Sequence, residues 1–213
     1  WRGLIARLSG SIFYGNALLS LYLSSKFVHA WKTLSSFWIN IENSTELIIA
    51  PDPGIRRRVI FVTSLVAICA LVEHMLSMMS ATGFDCPPEE YFERYILASH
   101  GFVLQINEYN IWIAISIFIL SKLATALWNF QDLIIILISM GLSSRYHRLN
   151  MYVYRVSVPD IYVKVQKWRR LREAYVRNSA LVRTVDRKMR ALVLLSNVNN
   201  LYFICLQLFL GIQ

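Results

Sequence analysis

Four long apolar runs dominate the pattern of hydrophobic and polar positions along the chain. They extend roughly over residues 4–31, 59–82, 107–142 and 191–213. A helix needs about 20 residues to cross a hydrocarbon core of about 30 Å, so each run is long enough to span a bilayer. The pattern predicts an all-α membrane protein in which a multi-span helical bundle contributes four spans.

The third run is too long for one crossing and too short for two. It holds about 36 residues, whereas two crossings and a loop need more than about 40. No turn signal occurs between Ser121 and Gln131, so one helix of roughly 54 Å is expected. Its far end, DLIIILISMGL, is still apolar, which predicts that this end projects from the membrane and packs against other protein.

A basic stretch, 159–190, precedes the fourth run. Trp168, Leu171, Tyr175 and Leu181 or Val182 recur at helical spacing, which predicts an amphipathic helix that continues into the fourth span. Two placements are open. The helix either lies solvated near anionic lipid, or packs its apolar face against the projecting end of the third run.

Composition supports the membrane class, since 56% of the 213 residues are hydrophobic and 16% are charged. The chain starts at Trp1 without an initiator Met or a signal-peptide pattern, so we expect a piece of a longer protein. Cys69, Cys86 and Cys205 show no metal-binding spacing, and the sequence does not exclude a disulfide bond that involves Cys86.

Lysine and arginine counts predict the orientation. The connections 26–58 and 143–190 carry five and thirteen of these residues, whereas 82–108 carries only Arg94 among several acids. Basic connections lie in the cytoplasm, so both ends of the chain are expected outside. The net charge of +9 is thus a topology signal and gives no argument for nucleic acid.

The predicted segments are a transmembrane helix at 1–35, a cytoplasmic extension and turn at 36–55, a transmembrane helix at 56–82, an extracellular loop at 83–106, a long helix projecting into the cytoplasm at 107–150, a cytoplasmic basic helical segment at 151–186 and a transmembrane helix at 187–213.

An ionisable pair, Glu73 and His74, lies near the end of the second run. Fifteen residues separate Glu73 from Arg58, which places it roughly 22 Å along the axis, in the outer third of the hydrocarbon layer. Ionisable residues at this depth are costly and commonly mark a site, so the pair is expected to face the bundle interior.

Polar groups of other spans occur at a similar depth. A wet outer pocket that hydrogen-bonds and stacks on a ligand is one interpretation, and interhelical hydrogen bonding is the other. A neutral polyhydroxylated ligand suits the mixture, although the residues alone do not require one. The candidate ligand-binding residues are Glu73, His74, Glu108, Asn110, Trp112, Asn197 and Asn200.

The motifs of several enzyme classes are missing from the sequence. Glu73 and His74 lack the second histidine of HExxH, and neither a glycine-rich phosphate loop nor GxSxG occurs. We expect no catalysis, no metal and no cofactor. Lys122, inside the third run, is expected to snorkel to the interface or to pair with a carboxylate.

Long stretches of the sequence resemble insect gustatory receptors of the sugar-taste branch. The similarity covers nearly the whole chain and is carried by SIFYGNALLSLYL, NEYNIWIAISIFILSKLATALWNFQDLIIILISMGL and REAYVRNSALVRTVDRKMRALVLLSNVNNLYFICLQLF. The resemblance implies a seven-helix fold with a cytoplasmic N-terminus, of which this chain would supply the second to fifth helices. It further implies an anchor domain built by the long helices in the cytoplasm.

By the same resemblance the protein is a plasma-membrane, ligand-gated, non-selective cation channel. Its subunits would form homo- or hetero-tetramers and bind sugar in an outward-facing pocket within each subunit. The family's pore-lining seventh helix has no counterpart before Gln213, so no pore residue is assigned. A secondary transporter of a small polar solute and an odorant-receptor-like channel for apolar ligands are the alternatives; a transporter would show inverted repeats, and none is evident.

Overall fold

Long helices make up the regular structure of the part of the chain that the computed structural model describes, residues 2–43, 52–83, 85–101, 109–157 and 165–212. Five helices follow one another there. They are α1 (Arg2–Asn43), α2 (Ile55–Thr82), α3 (Tyr91–His100), α4 (Ile111–Ser157) and α5 (Val165–Ile212). The all-α class predicted from the apolar runs is confirmed.

Local sequence explains where α2 begins and ends. The Asp52 carboxylate accepts a hydrogen bond of 2.9 Å from the Gly54 amide, which closes a turn before Ile55. At the other end Gly83 has a φ of 78°, and its amide donates to the Met79 carbonyl at 2.9 Å. A left-handed glycine after the last turn is the usual helix C-cap, because other residues are strained in that conformation.

Among the described residues, three helices have the length and composition of membrane spans: Ile55–Thr82, Ile111–Val156 and Val165–Phe209. With 42 residues, α1 is also long enough to cross a bilayer. Its membrane crossing stays a prediction, as does the side of the membrane on which each connection lies.

The chain divides into two compact units. Unit 1 comprises Trp1–Tyr22 and Val62–Gln131, and unit 2 comprises Leu23–Phe61 and Asp132–Gln213. In unit 1, α3 packs its buried Tyr95 and Ile96 against Ala114 and Ile117 of α4. The sequence predicted only a loop over 83–106, so this packed helix is an addition to the expected architecture.

Unit 2 holds the larger apolar core. Ile138 of α4, together with the neighbouring Ile134, Ile135 and Leu142, packs with residues from α1 and α5. The buried members from those two helices are Phe27, Leu34, Ile41, Leu181, Val185, Met189 and Leu192. The prediction that the apolar end of the third run packs against protein is confirmed. Of the predicted apolar face of the basic helix, Leu181 belongs to this core, and Leu171 and Tyr175 pack with Leu149 of α4, whereas Trp168 is 47% exposed.

Polar contacts fix the connections of unit 2. The Ser144 hydroxyl of α4 donates to the Asp52 carboxylate at 2.6 Å, and Arg58 forms an ion pair with the same carboxylate. The hydrogen bond from Ser144, together with that from the Gly54 amide and the charge of Arg58, holds the pKa of Asp52 below its usual range. The turn before α2 is therefore tied directly to α4.

Candidate functional site

Lys122 of α4 is the centre of a polar cluster in unit 1. Its Nζ donates to the Tyr95 hydroxyl of α3 at 2.8 Å and lies 3.3 Å from Nδ1 of His74 on α2. The same nitrogen lies 4.7 Å from the Tyr95 ring centre and 4.8 Å from that of Phe118. Three helices thus contribute to one cationic cluster, which we call the Lys122 cluster: His74, Tyr95, Phe118 and Lys122.

The carboxylate partner expected for Lys122 is not found within the described residues, and snorkelling of its side chain stays a prediction. No carboxylate lies within 4 Å of its ammonium group there, and the group is directed to a phenol, an imidazole and two ring faces instead. A cation over aromatic faces is stabilised by the ring quadrupole, more strongly where water is excluded. The aromatic contacts explain how a lysine is held inside an apolar helix.

Aromatic rings surround the Lys122 cluster within unit 1. The Tyr95 ring packs edge-on against Phe118 and His100, with centroids 5.9 Å and 6.3 Å apart. His100 also lies 6.4 Å from the Tyr14 ring of α1. Such rings offer flat apolar faces next to hydrogen-bonding groups, a combination that suits ligands with both hydroxyls and apolar faces.

His100 ends α3 and is buried. Burial, and after it the positive charge of Lys122, lowers the pKa of His100 below its usual value. The imidazole is therefore neutral at neutral pH and adds no second charge beside Lys122.

Only one residue of the predicted pair Glu73 and His74 belongs to the Lys122 cluster. The His74 side chain is half-buried and belongs to the Lys122 cluster, whereas the neighbouring Glu73 side chain is exposed. Adjacent helix positions point about 100° apart, which is why only one of the two reaches Lys122.

Asn110 and Trp112 lie at the start of α4. The Asn110 side-chain oxygen accepts a hydrogen bond of 2.9 Å from the Trp112 amide, the geometry of a helix N-cap. The Trp112 side chain is 75% exposed. Glu108 lies outside the described residues, so its place relative to these two side chains stays a prediction.

Asn197 and Asn200 belong to unit 2 and are both exposed. The Asn200 amide lies 3.5 Å from the Asp132 carboxylate of α4, which also accepts a hydrogen bond of 2.5 Å from Ser196. These contacts join α4 to α5. Of the two interpretations that the sequence allowed for such asparagines, a ligand pocket or interhelical hydrogen bonding, the contact of Asn200 fits interhelical hydrogen bonding.

Two residues of these clusters were not predicted as partners. Tyr95 lies in a stretch that gave no span signal, and Asp132 begins the apolar end of the third run. A lysine deep in an apolar run was the available signal for the Lys122 cluster, because such a charge requires a partner. Within the described residues, no group of three or more His, Cys, Asp or Glu side chains could hold a metal ion.

Comparisons with known proteins agree over most of the chain. Residues 4–213 match a family model described as "Trehalose receptor". "Gustatory receptor for sugar taste 64a" of Drosophila melanogaster is 28% identical over 212 residues, 93% of this chain and 46% of that receptor. "Gustatory receptor 5a for trehalose" of the same species is 29% identical over 211 residues, 95% of this chain and 46% of that receptor. The chain therefore spans about half the length of these relatives.

Proposed function

Because the chain belongs to the trehalose receptor family of insect sugar gustatory receptors, we propose that it forms part of a sugar-gated cation channel. The family match over residues 4–213 is the observation that carries this proposal. Three candidate spans agree with a receptor embedded in a membrane, for which we propose the plasma membrane of a taste cell. The receptor acts by binding and conformational change and performs no covalent chemistry.

We place the ligand in unit 1, near the outer ends of its helices. Four of the predicted candidates, Glu73, His74, Asn110 and Trp112, belong to this unit, and Glu108 precedes α4. His74 and Tyr95 supply hydrogen-bonding groups next to aromatic rings. Polar groups that fix orientation within a mainly apolar lining are typical of small-molecule sites. Asn197 and Asn200 stay candidates from the sequence, and the contact of Asn200 with Asp132 favours a structural role for it.

Gating follows from differential affinity. A sugar shifts the channel toward its open state only if it binds that state more tightly than the closed one. The proposed assembly is a tetramer of identical or related subunits, in which the projecting end of α4 and the basic stretch of α5, joined by a shared apolar core, supply the cytoplasmic anchor.

Electrical recording of the full-length receptor tests the function. Cells that express it, alone and with a related subunit, are exposed to mono- and disaccharides including trehalose, with mannitol at equal osmolarity as control. We expect a saturable inward cation current with sugar and none with mannitol. A receptor that reaches the surface and passes no current with any sugar contradicts the proposal.

The same experiment separates the alternatives. A secondary transporter would accumulate labelled sugar with currents far smaller than those of a channel. An odorant-receptor-like channel would open with apolar volatile compounds and ignore sugars. The family match to sugar receptors favours the sugar-gated channel over both.

A further inference from the structure

The Lys122 cluster contains more hydrogen-bond donors than acceptors. A lysine ammonium group carries three N–H donors and no acceptor, so His74 Nδ1 must accept the hydrogen bond from Lys122. The proton of the neutral imidazole then resides on Nε2. The Tyr95 oxygen accepts from Lys122 as well, which leaves the phenolic O–H available as a donor.

Two donors remain at the Lys122 nitrogen after these bonds are counted. They are one N–H of Lys122 and the O–H of Tyr95, whose oxygen lies 2.8 Å from that nitrogen, whereas the Nε2–H of His74 lies on the far side of its ring from Lys122. Among the described residues, no hydrogen-bond acceptor is found for either of the two. The cluster is therefore rich in donors, and its bound counterpart must supply acceptors.

The positive charge of the Lys122 cluster also favours a partner that supplies acceptors. Lys122 lies eleven residues after the start of α4, roughly 16 Å along a helix that is a candidate membrane span. No carboxylate of the described residues lies within 4 Å of it, and Glu73 is exposed. Two ring faces stabilise the ammonium group without neutralising it. A positive charge at membrane depth is costly unless it is paired.

We propose that the Lys122 cluster binds a single negative charge, either a chloride ion or the carboxylate of an acidic ligand such as a uronic acid. Lys122 supplies the charge and one N–H donor, and Tyr95 supplies its O–H. Charge-assisted hydrogen bonds of this kind are about twice as strong as neutral ones. This inference does not rest on sugar gating, since it concerns only the charge and the hydrogen-bond donors of the Lys122 cluster.

The test measures thermal stability of the purified full-length receptor without sugar. Sodium chloride or sodium glucuronate replaces sodium methanesulfonate at constant ionic strength, and the apparent Tm is followed with concentration. A ligand that binds only the folded state raises the Tm in a saturable way. We expect a saturable rise with chloride, with glucuronate or with both, and the two arms identify the source of the charge.

Matched variants assign the effect to the cluster. Lys122→Gln should abolish the anion-dependent rise, whereas Lys26→Gln, which removes the same charge from an exposed position on α1, should keep it. Tyr95→Phe retains the ring and removes one donor, so the anion concentration needed for half the effect should rise roughly tenfold. Tyr22→Phe, on a side chain that is 62% exposed, is its control and should leave this concentration unchanged.

Two results would overturn the proposal. One is a wild-type Tm that does not respond to chloride or glucuronate. The other is an equal response in wild type and Lys122→Gln, or in wild type and Tyr95→Phe if the lysine variant does not fold. Because the readout is stability without sugar, failure here leaves the sugar-gated current to be judged by its own experiment.

Discussion

Lys122 joins three helices of unit 1, because α2, α3 and α4 each contribute one polar side chain to the same cationic cluster. The bonds to Tyr95 and His74 fix the orientation of both partners. Those partners are the groups that we propose to face ligand. The chemistry of unit 1 thus depends on a residue that need not touch the sugar.

His100 makes the stability of the protein depend on pH. Its pKa is lowered in the folded state by burial and by Lys122, whereas the unfolded side chain titrates near pH 6.5. Below about pH 6.5 the unfolded state binds the proton more readily than the folded state does, so stability falls as the pH falls.

We expect the apparent Tm of the full-length receptor to drop between pH 7.5 and 5.5. His100→Phe, which keeps a ring beside Tyr95, should reduce this drop, and His29→Phe, at an exposed position, should not. An unchanged pH dependence in His100→Phe would exclude His100 as its source.

At the scale of helices, the sequence analysis predicted the long continuous helices α4 and α5 and missed the short packed helix α3. The length of α4 followed from an apolar run without a turn signal, and α5 continues unbroken from the basic stretch into the last span. The ten residues of α3 are too few to span a bilayer, so the search for spans passed over the helical spacing of Tyr91, Phe92, Tyr95 and Ile96.

The same limit applied to the candidate site. Asn110 directly precedes a helical run, and an asparagine there is a strong N-cap signal that the pocket interpretation overlooked. The contact between Lys122 and Tyr95 joins residues 27 apart, so only tertiary packing of α3 could reveal it.

Two glycines provide a paired test of the helix ends. Gly83 has a φ of 78°, and a Cβ built there meets nothing within 4 Å. Gly83→Ala should therefore destabilise the protein through backbone strain alone, by about 1–2 kcal/mol.

Gly15 is the matched control within α1, where a Cβ also meets nothing within 4 Å. Gly15→Ala should stabilise the helix by roughly 0.5–1 kcal/mol, because alanine loses less backbone entropy. Thermal unfolding of the two full-length variants compares them. A Gly83→Ala protein as stable as Gly15→Ala would disprove the role of Gly83 as the cap of α2.

At the scale of the whole molecule, the account requires a defined orientation in the membrane. The charge distribution predicts the connection 83–106 outside and the basic stretch of α5 inside. The projecting end of α4 would then lie on the cytoplasmic side with that stretch, and their shared apolar core, which includes Ile138 and Leu181, suits an anchor between subunits.

Thiol labelling of intact cells checks this orientation. Cys86 lies between α2 and α3 and is partly exposed, so a membrane-impermeant maleimide should label it in the full-length receptor, and Cys86→Ser should remove that signal. A cysteine introduced in the Cys86→Ser background by Arg172→Cys, on an exposed position of α5, should react only after permeabilisation. Labelling of Arg172→Cys in intact cells would contradict the predicted topology.

The central claim is that unit 1 of this sugar-receptor chain binds the sugar that opens the channel. The most direct measurement is the sugar concentration for half-maximal current in wild type, His74→Ala and the matched control His29→Ala, an exposed histidine of α1. Removing one hydrogen bond to a ligand in an apolar site commonly costs about 1–3 kcal/mol. We predict that His74→Ala raises this concentration at least roughly tenfold and that His29→Ala leaves it unchanged. Equal concentrations for all three receptors would contradict the placement of the sugar beside His74.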